Sequence, residues 1–402
     1  MLKGEKNNAR HKKILLGVDL ILDQHRQWHI IEVNDHPVGL KLSDQLFNAG
    51  RDPWSERSSS GIEEIASELM SHSNNEDIIL LLPDCYRIRG GVSNVSVKAT
   101  DLNFLEDYRI GRNLDDFNAL LKELKQNKAK AYISDVTAVE QKRDEVWVKK
   151  RPVAAMYRRS AQFPLSVTSC YCLNDLRLRK ICRDKSHVGL LLKSVGLEKN
   201  CIPYYSLKTE DKVARLLLES GKSVIIKPKR GSGSKGVQKV SSIPVWEQAC
   251  QDLTNSIHDE EVVFQEWIEP SSVNIEGRNF YYDIRVNILG NTIISALARC
   301  SAAPIDNPLW RDTPLVWLTT TGKLIPVVTN GINEDGLNAV FLSKPELEKL
   351  QEIVSAINIA ISVECAGTSY EKAIETIGSF GAQEGFKEKM HYINLLKNKA
   401  HV

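Results

Sequence analysis

The sequence predicts an α/β (α+β) protein, and three observations predict it. Two alternating apolar runs near the start, Gly17 to Asp23 and Ile30 to Val33, flank the polar Asp23-Gln24-His25-Arg26-Gln27 and read as a β-hairpin. Between about 62 and 180 helical and strand-like periodicities alternate, which is the pattern of a small open α/β sheet. From residue 223 strands dominate, at Ser223 to Lys227, Val262 to Trp267, Tyr281 to Leu289 and Thr292 to Arg299, before a helix from Lys344 to about Ile361.

The hairpin and its exit take residues 11 to about 45. Asp19 lies on its first strand and Glu32 and Asn34 on its second, where the two-residue period puts the last two on one face. Hard oxygen donors gathered this way suit Mg²⁺, which keeps several waters and takes phosphate oxygens as further ligands. A solvated strand face carries the same Glu-x-Asn, so the pattern gains meaning only from what accompanies it. His36, before Pro37, reads as a turn residue and not a ligand. The polar stretch 51–61 is a loop or linker.

Helical spacing then marks Ile62 to Met70 and Leu114 to Lys125, and strand-like runs occupy Ile78 to Leu82, Ala129 to Ser134 and Val153 to Tyr157. Arg158 and Arg159 follow the last of these and read as a solvated strand end, with contact to an acidic substrate as the other reading. The next block starts at Leu176 and runs through a helix that opens at Arg183-Asp184-Lys185 and ends near Gly196, with His187 on its surface. The last forty residues read as helical and highly charged.

The strongest local motif is Val224-Ile225-Ile226-Lys227-Pro228-Lys229-Arg230-Gly231-Ser232-Gly233-Ser234-Lys235-Gly236-Val237. An apolar strand delivers Lys227, after which glycines and serines permit a loop whose backbone N–H groups can fold around phosphate oxygens. A Walker A loop needs Gly-Lys-Ser/Thr before a helix, whereas here the lysine precedes the loop and a strand follows it. A Gly/Ser hairpin tip is the plain alternative. It needs no cation anchored by an apolar strand, and this one has Lys227.

Composition narrows the classes. Lys and Arg number 53 against 51 Asp and Glu, so whole-chain charge points to neither nucleic acid nor an anionic membrane. Eight cysteines are scattered without any Cys-x-x-Cys, as expected of reduced thiols in a cytoplasmic protein. Apolar runs such as Ile78 to Leu82 are strand-sized, and the first residues lack a signal-peptide apolar core.

Together these motifs resemble the ATP-grasp superfamily, especially its glutathione synthetase, D-alanine:D-alanine ligase and ribosomal-protein glutamate ligase branches. Arg183-Asp184-Lys185 is similar to the family's Asp-Lys segment, whose lysine touches nucleotide phosphates. Lys227 resembles the second phosphate lysine, and Arg230, Gly231, Ser232, Gly233, Ser234 and Gly236 the lid over the phosphates. Phe264-Gln265-Glu266-Trp267-Ile268 is similar to the adenine-binding strand, where a Gln or Glu reads the purine edge. In Tyr282-Asp283-Ile284-Arg285-Val286 the resemblance implies a ribose role for Asp283, and it implies that Arg299 stabilises the transferred phosphoryl group. Asp19, Glu32 and Asn34 resemble the metal triad, implying two Mg²⁺ ions, with Mn²⁺ as a substitute.

The order of these motifs is rotated. In the usual order the helix after Pro345 would lead into the Gly-Val-Asp strand, which here stands at the N-terminus, so the sequence looks circularly permuted. Domains are expected at 1–50 for the permuted hairpin, 51–180 for an α/β substrate domain, 181–260 and 261–362 for the small and large grasp subdomains, and 363–402 for a helical tail. D-alanine:D-alanine ligases carry an Arg two residues before the first metal Asp, where this chain has Gly17, so acyl-phosphate stabilisation falls to Arg299, Arg285 or Arg311.

The resemblance implies an ATP-dependent carboxylate–amine ligase. ATP would phosphorylate a small carboxylate, and an amino acid or short peptide amine would displace phosphate. A carboxylate–thiol ligase loading an acyl carrier protein and a small-molecule kinase share the same nucleotide site. A homodimer with swapped hairpins is a further expectation left open.

Overall fold

The computed structural model describes residues 13–35, 37, 39–42, 45, 59–82, 86–88, 95–97, 104–135, 138–143, 145–148, 150–159, 170–174, 176–230, 236–255, 261–307, 324–329 and 338–366. In chain order the elements are β1 Leu15–Leu22, β2 Trp28–Asn34, α1 Gly61–Ser73, β3 Asp77–Leu82, β4 Tyr86–Ile88, β5 Val95–Val97, α2 Phe104–Gln126, β6 Ala131–Asp135, β7 Val139–Lys142, β8 Glu145–Val148, β9 Arg151–Arg158 and β10 Tyr171–Leu173. They continue as α3 Leu176–Arg183, α4 Lys185–Ser194, β11 Tyr205–Ser206, α5 Leu207–Glu219, β12 Val224–Pro228, β13 Gln238–Val240, α6 Ile243–Thr254, β14 Val262–Glu266, β15 Ser272–Ile275, β16 Arg278–Leu289, β17 Thr292–Cys300, β18 Leu324–Thr329, β19 Val340–Leu342 and α7 Lys344–Ala366.

The N-terminal hairpin joins the strands that lie far from it in sequence. One sheet runs β19-β18-β17-β16-β1-β2, with β15 on β16. Alternation sorts its two faces. Leu16, Val18, Leu20 and Leu22 of β1, with Ile284, Val286 and Ile288 of β16, pack under α3, α4 and α7 in the largest apolar cluster. Gly17, Asp19, Asp283, Arg285, Asn287 and Arg299 therefore share the opposite face.

Strand β2 reaches that face through an irregularity. Asp19 stands opposite Glu32 while Leu20 stands opposite Ile30, so Ile31 is an extra residue. Such a bulge flips the strand's alternation. Trp28 and Ile30 pack toward the helices before it and Val33 after it, which leaves Glu32 and Asn34 beside Asp19.

A four-stranded sheet, β11-β14-β12-β13, carries the lysine strand. Val224, Ile226, Val240, Val262 and Phe264 pack against α5 and α6 around the fully buried Trp246. Ile225, Lys227, Lys239 and Gln265 fall on the other face. The α/β unit has the order β6-β3-β9-β8-β7, with β10 on β9. Strands β6, β3, β9 and β10 are parallel and β7 to β9 antiparallel, with α1 and α2 packed on one face.

The helix expected to open at Arg183-Asp184-Lys185 does so: Asp184 leaves helical geometry (φ −92°, ψ 96°) and its carboxylate caps α4 by accepting the His187 N–H at 3.0 Å, with the separate helix α3 before it. One expectation changes. Arg158 and Arg159 are no solvated strand end: both are buried, Arg158 donating to the Asn174 carbonyl and Arg159 to Pro37 and Asp116. Among the described residues no helix is long and apolar enough to cross a membrane. The seven described cysteines are free thiols.

Candidate active site

The polar face of the large sheet holds a connected charge cluster. Arg285 donates from Nε and Nη2 to the two oxygens of Asp19 at 2.6 and 2.7 Å. Arg299 pairs with Asp283 in the same forked manner, at 2.6 Å twice, and lies 3.1 Å from Asp19. The amide of Asn34 donates to Asp19 at 3.2 Å. Burial alone would raise the Asp19 carboxyl, but the two guanidiniums outweigh it and hold the group at about 2. Burial pushes the Asp283 carboxyl up despite Arg299. Burial also opposes the charge on Arg299, and its two carboxylates more than restore it.

The lysines approach from the other side. Lys185, the first residue of α4, lies 3.5 Å from Glu32. Lys227 is buried at the end of β12. It donates to Gln265 Oε1 at 2.5 Å and lies over the Tyr204 ring at 4.8 Å, while the Tyr204 hydroxyl donates to the Ile31 carbonyl at 3.1 Å. Burial, and then the nearby charge of Lys185, lower the Lys227 ammonium to about 7 against the pull of Glu32. Two cations this close in a desolvated setting complement an anion. The faces of the two sheets meet through a small apolar cluster of Ile225 and Ala303, with Val237, Trp267 and Tyr281 packed on it.

The predicted residues thus fall into three groups. Asp19, Glu32, Asn34, Asp283, Arg285 and Arg299 come together on one face, with Lys185 and Lys227 against them. Gln265, Glu266 and Trp267 line the neighbouring strand end, where Glu266 pairs with Lys222 at 2.8 Å and Trp267 lies under Lys239 at 4.7 Å. The Trp267 indole N–H is buried with no acceptor among the described residues. Ile268 follows it, partly buried. Arg230 reaches Asp184 and Glu261 at 3.9 and 3.8 Å, and Gly236 adopts φ +71° beside Pro228. Gly231, Ser232, Gly233, Ser234, Arg311 and His36 lie outside the described residues.

Both ends of the Gln265 side chain are engaged, Oε1 with Lys227 and Nε2 with the Ile202 carbonyl at 2.7 Å, so it braces the lysine. Sequence reasoning missed Tyr204, which links Lys227 to β2; nothing in the local pattern sets that tyrosine apart. It also missed why position 17 is glycine. A Cβ there would stand 3.1 Å from Pro37 Cβ and 3.4 Å from Asn287 Oδ1, so the space beside Asp19 is already filled.

No protein-family model matches the sequence, and no curated protein sequence matches it. Solved structures do. The chain is similar to a protein of Methylobacillus flagellatus KT provisionally named gamma-glutamylcysteine synthetase, with 11% identity, a TM-score of 0.56, and 89% of this chain and 90% of that chain covered. A glutathione synthetase-like effector from Globodera pallida gives 10% identity and a TM-score of 0.46 over 72% of this chain and 74% of its own. D-alanyl-alanine synthetase A of Vibrio cholerae gives 14% and 0.39 over 71% and 81%. The fold rests on the first of these, and it is the ATP-grasp fold.

Proposed function

We propose that the chain is an ATP-dependent carboxylate–amine ligase, releasing ADP and phosphate by way of an acyl phosphate. The observation that carries this reading is the Asp19, Arg285, Arg299 and Asp283 cluster beside Glu32, which Lys185 approaches to 3.5 Å and whose charge the buried Lys227 feels, on an ATP-grasp fold. The M. flagellatus protein's name points the same way, to joining one amino acid to another.

In this reading Lys185 and Lys227 bind the phosphate chain and neutralise charge on the transferred group. Trp267 and the backbone of Glu266 to Ile268 take the base, where the buried indole N–H offers a donor, and Asp283 takes the ribose on exchanging its hold on Arg299. Arg285 and Arg299, each within reach of Asp19, stabilise the oxyanion formed when the amine attacks. The loop from Arg230 to Gly236 excludes water from the acyl phosphate.

The donor types suit a divalent cation, which would take Asp19 in exchange for its Arg285 and Arg299 contacts and Glu32 in exchange for Lys185. Asp19 and Glu32 are two carboxylates facing the phosphate lysines, and the Asn34 amide, having donated its N–H to Asp19, retains its carbonyl oxygen. Mg²⁺ bound there would supply charge neutralisation between phosphate oxygens. The low Asp19 value keeps that carboxylate ionised at neutral pH. The same reading takes the chain as circularly permuted, since β1 and β2 complete a sheet begun by β16 and β17.

The test is a screen of amino acids and short peptides for ATP-dependent phosphate release by the full chain. The expected result is equal amounts of ADP and phosphate only when an acid and an amine are both present. ADP without phosphate would make the protein a kinase, and product on a carrier thiol would make it a carboxylate–thiol ligase.

A further inference from the structure

Pro37 and the segment Gly39 to Lys41 follow β2 as a strap across the large sheet, and polar groups of the α/β unit hold them. Pro37 fills the space over Gly17, which stands opposite Asn34 and two residues before Asp19. Gly39 adopts φ +88°, and a Cβ there would lie 3.1 Å from Leu297. Leu40 is buried in the cluster shared with α1 and α2.

Asp116 on α2 is 2% exposed, and its carboxylate accepts the backbone N–H of Gly39 at 3.0 Å and of Lys41 at 2.8 Å. Arg159, just past β9, donates from Nη2 to the Pro37 carbonyl at 2.7 Å and to Asp116 at 3.2 Å, and from Nε to the Tyr157 hydroxyl at 3.2 Å. Its guanidinium lies over the rings of Phe117 and Tyr157 at 5.0 and 5.3 Å. Beyond β10, Asn174 donates to the Asp35 carbonyl and accepts the Leu15 N–H at 3.0 Å, so the α/β unit grips the start of β1 as well as the exit of β2.

A fully buried ion pair is a poor device for stability alone, because apolar side chains of similar volume often do as well or better. What this pair does specify is position: three N–H donors converge on one carboxylate, and each belongs to, or also holds, the strap. We propose that Asp116 and Arg159 are positioning residues that fix the strap, set Glu32 and Asn34 against Asp19, and so tie divalent-cation binding to the α/β unit. The proposal rests on the ligase reading, which gives those three residues to the cation.

The test compares full-length parent, Asp116→Asn, Arg159→Lys and, as a control, Asp115→Asn, an exposed neighbour that among the described residues reaches the Lys41 ammonium at 3.5 Å. Two quantities are measured: amide hydrogen exchange at Gly39 and Lys41, and Mn²⁺ affinity in the presence of a non-hydrolysable ATP analogue. In Asp116→Asn exchange should quicken about tenfold or more as the strap opens locally. Mn²⁺ affinity should fall about tenfold, the lower end of what loss of an outer-shell partner costs. Nucleotide affinity in chelator should stay at the parent value, Arg159→Lys should be intermediate and Asp115→Asn unchanged. Faster exchange with parental Mn²⁺ affinity would overturn the proposal, leaving the pair a structural clasp. A parent that binds neither nucleotide nor Mn²⁺ would instead overturn the ligase reading, and this proposal with it. An Asp116→Asn protein that does not fold, judged by circular dichroism, passes the decision to Arg159→Lys, whose unchanged Mn²⁺ affinity would be equally contrary.

Discussion

Lys227 concentrates the physics of the site in one side chain. It is buried and repelled by Lys185, so its ammonium sits at about 7 where an ordinary lysine has 10.5, while Gln265 accepts its hydrogen bond. Two outcomes are expected. Lys227→Ala should weaken ATP binding by roughly 1.5–3 kcal/mol, the scale of a charge-assisted hydrogen bond. Calorimetric titration checks this, and parental affinity would make the residue a structural strand end. The second concerns pH. Between about 7 and 10.5 the unfolded chain keeps a proton on Lys227 that the folded chain has lost, so this group lets stability rise with pH across that window. Below about 7 its full cost is present. Thermal melts of parent and Lys227→Met should therefore differ most at acid pH and converge as pH climbs through the window; a constant difference would mean the ammonium is not depressed.

Elements decide which of these residues meet, and they were unequally legible. The alternation of Val18, Leu20 and Leu22, and of Ile284, Val286 and Ile288, gave one clean apolar face, so the polar residues between them could be read as a face of their own. The bulge at Ile31 left no such signal, though it re-aims Glu32. Strand β15 was hidden because only Ile275 of its four residues is buried, and β18 because Pro326 interrupts it. Helices α5 and α6 bury three residues each, too thin a stripe to stand out from polar sequence. The break before α4 was more readable: Asp184 follows the basic last turn of α3, as an N-cap residue does between two helices. Asp184 also meets Lys229 at 3.3 Å, so it joins the start of α4 to the end of β12. Asp184→Ala should cost about 1 kcal/mol in urea denaturation, as a lost N-cap does. No loss of stability would show that the cap is not holding α4.

At the scale of the whole molecule, the site exists because three separated stretches of chain converge. The hairpin supplies Asp19, Glu32 and Asn34, the small sheet with α4 supplies Lys227 and Lys185, and β16 with β17 supplies Asp283, Arg285 and Arg299. Motif spacing made the members of each stretch legible, because residues two apart on a strand share a face. The braces between stretches were not: Tyr204 on Ile31, Gln265 on Ile202 and Arg26 on Glu346 are tertiary contacts with no local pattern. The central claim is that the N-terminal hairpin carries the catalytic cation ligands of a ligase whose nucleotide contacts lie elsewhere. Glu32→Gln tests it most directly, because it preserves shape while removing one anionic ligand. ATP binding should persist within about tenfold, or ~1.4 kcal/mol, while acid-dependent phosphate release falls at least about a hundredfold, or ~2.7 kcal/mol of barrier. Phosphate release near the parent rate at saturating Mg²⁺ would contradict the account.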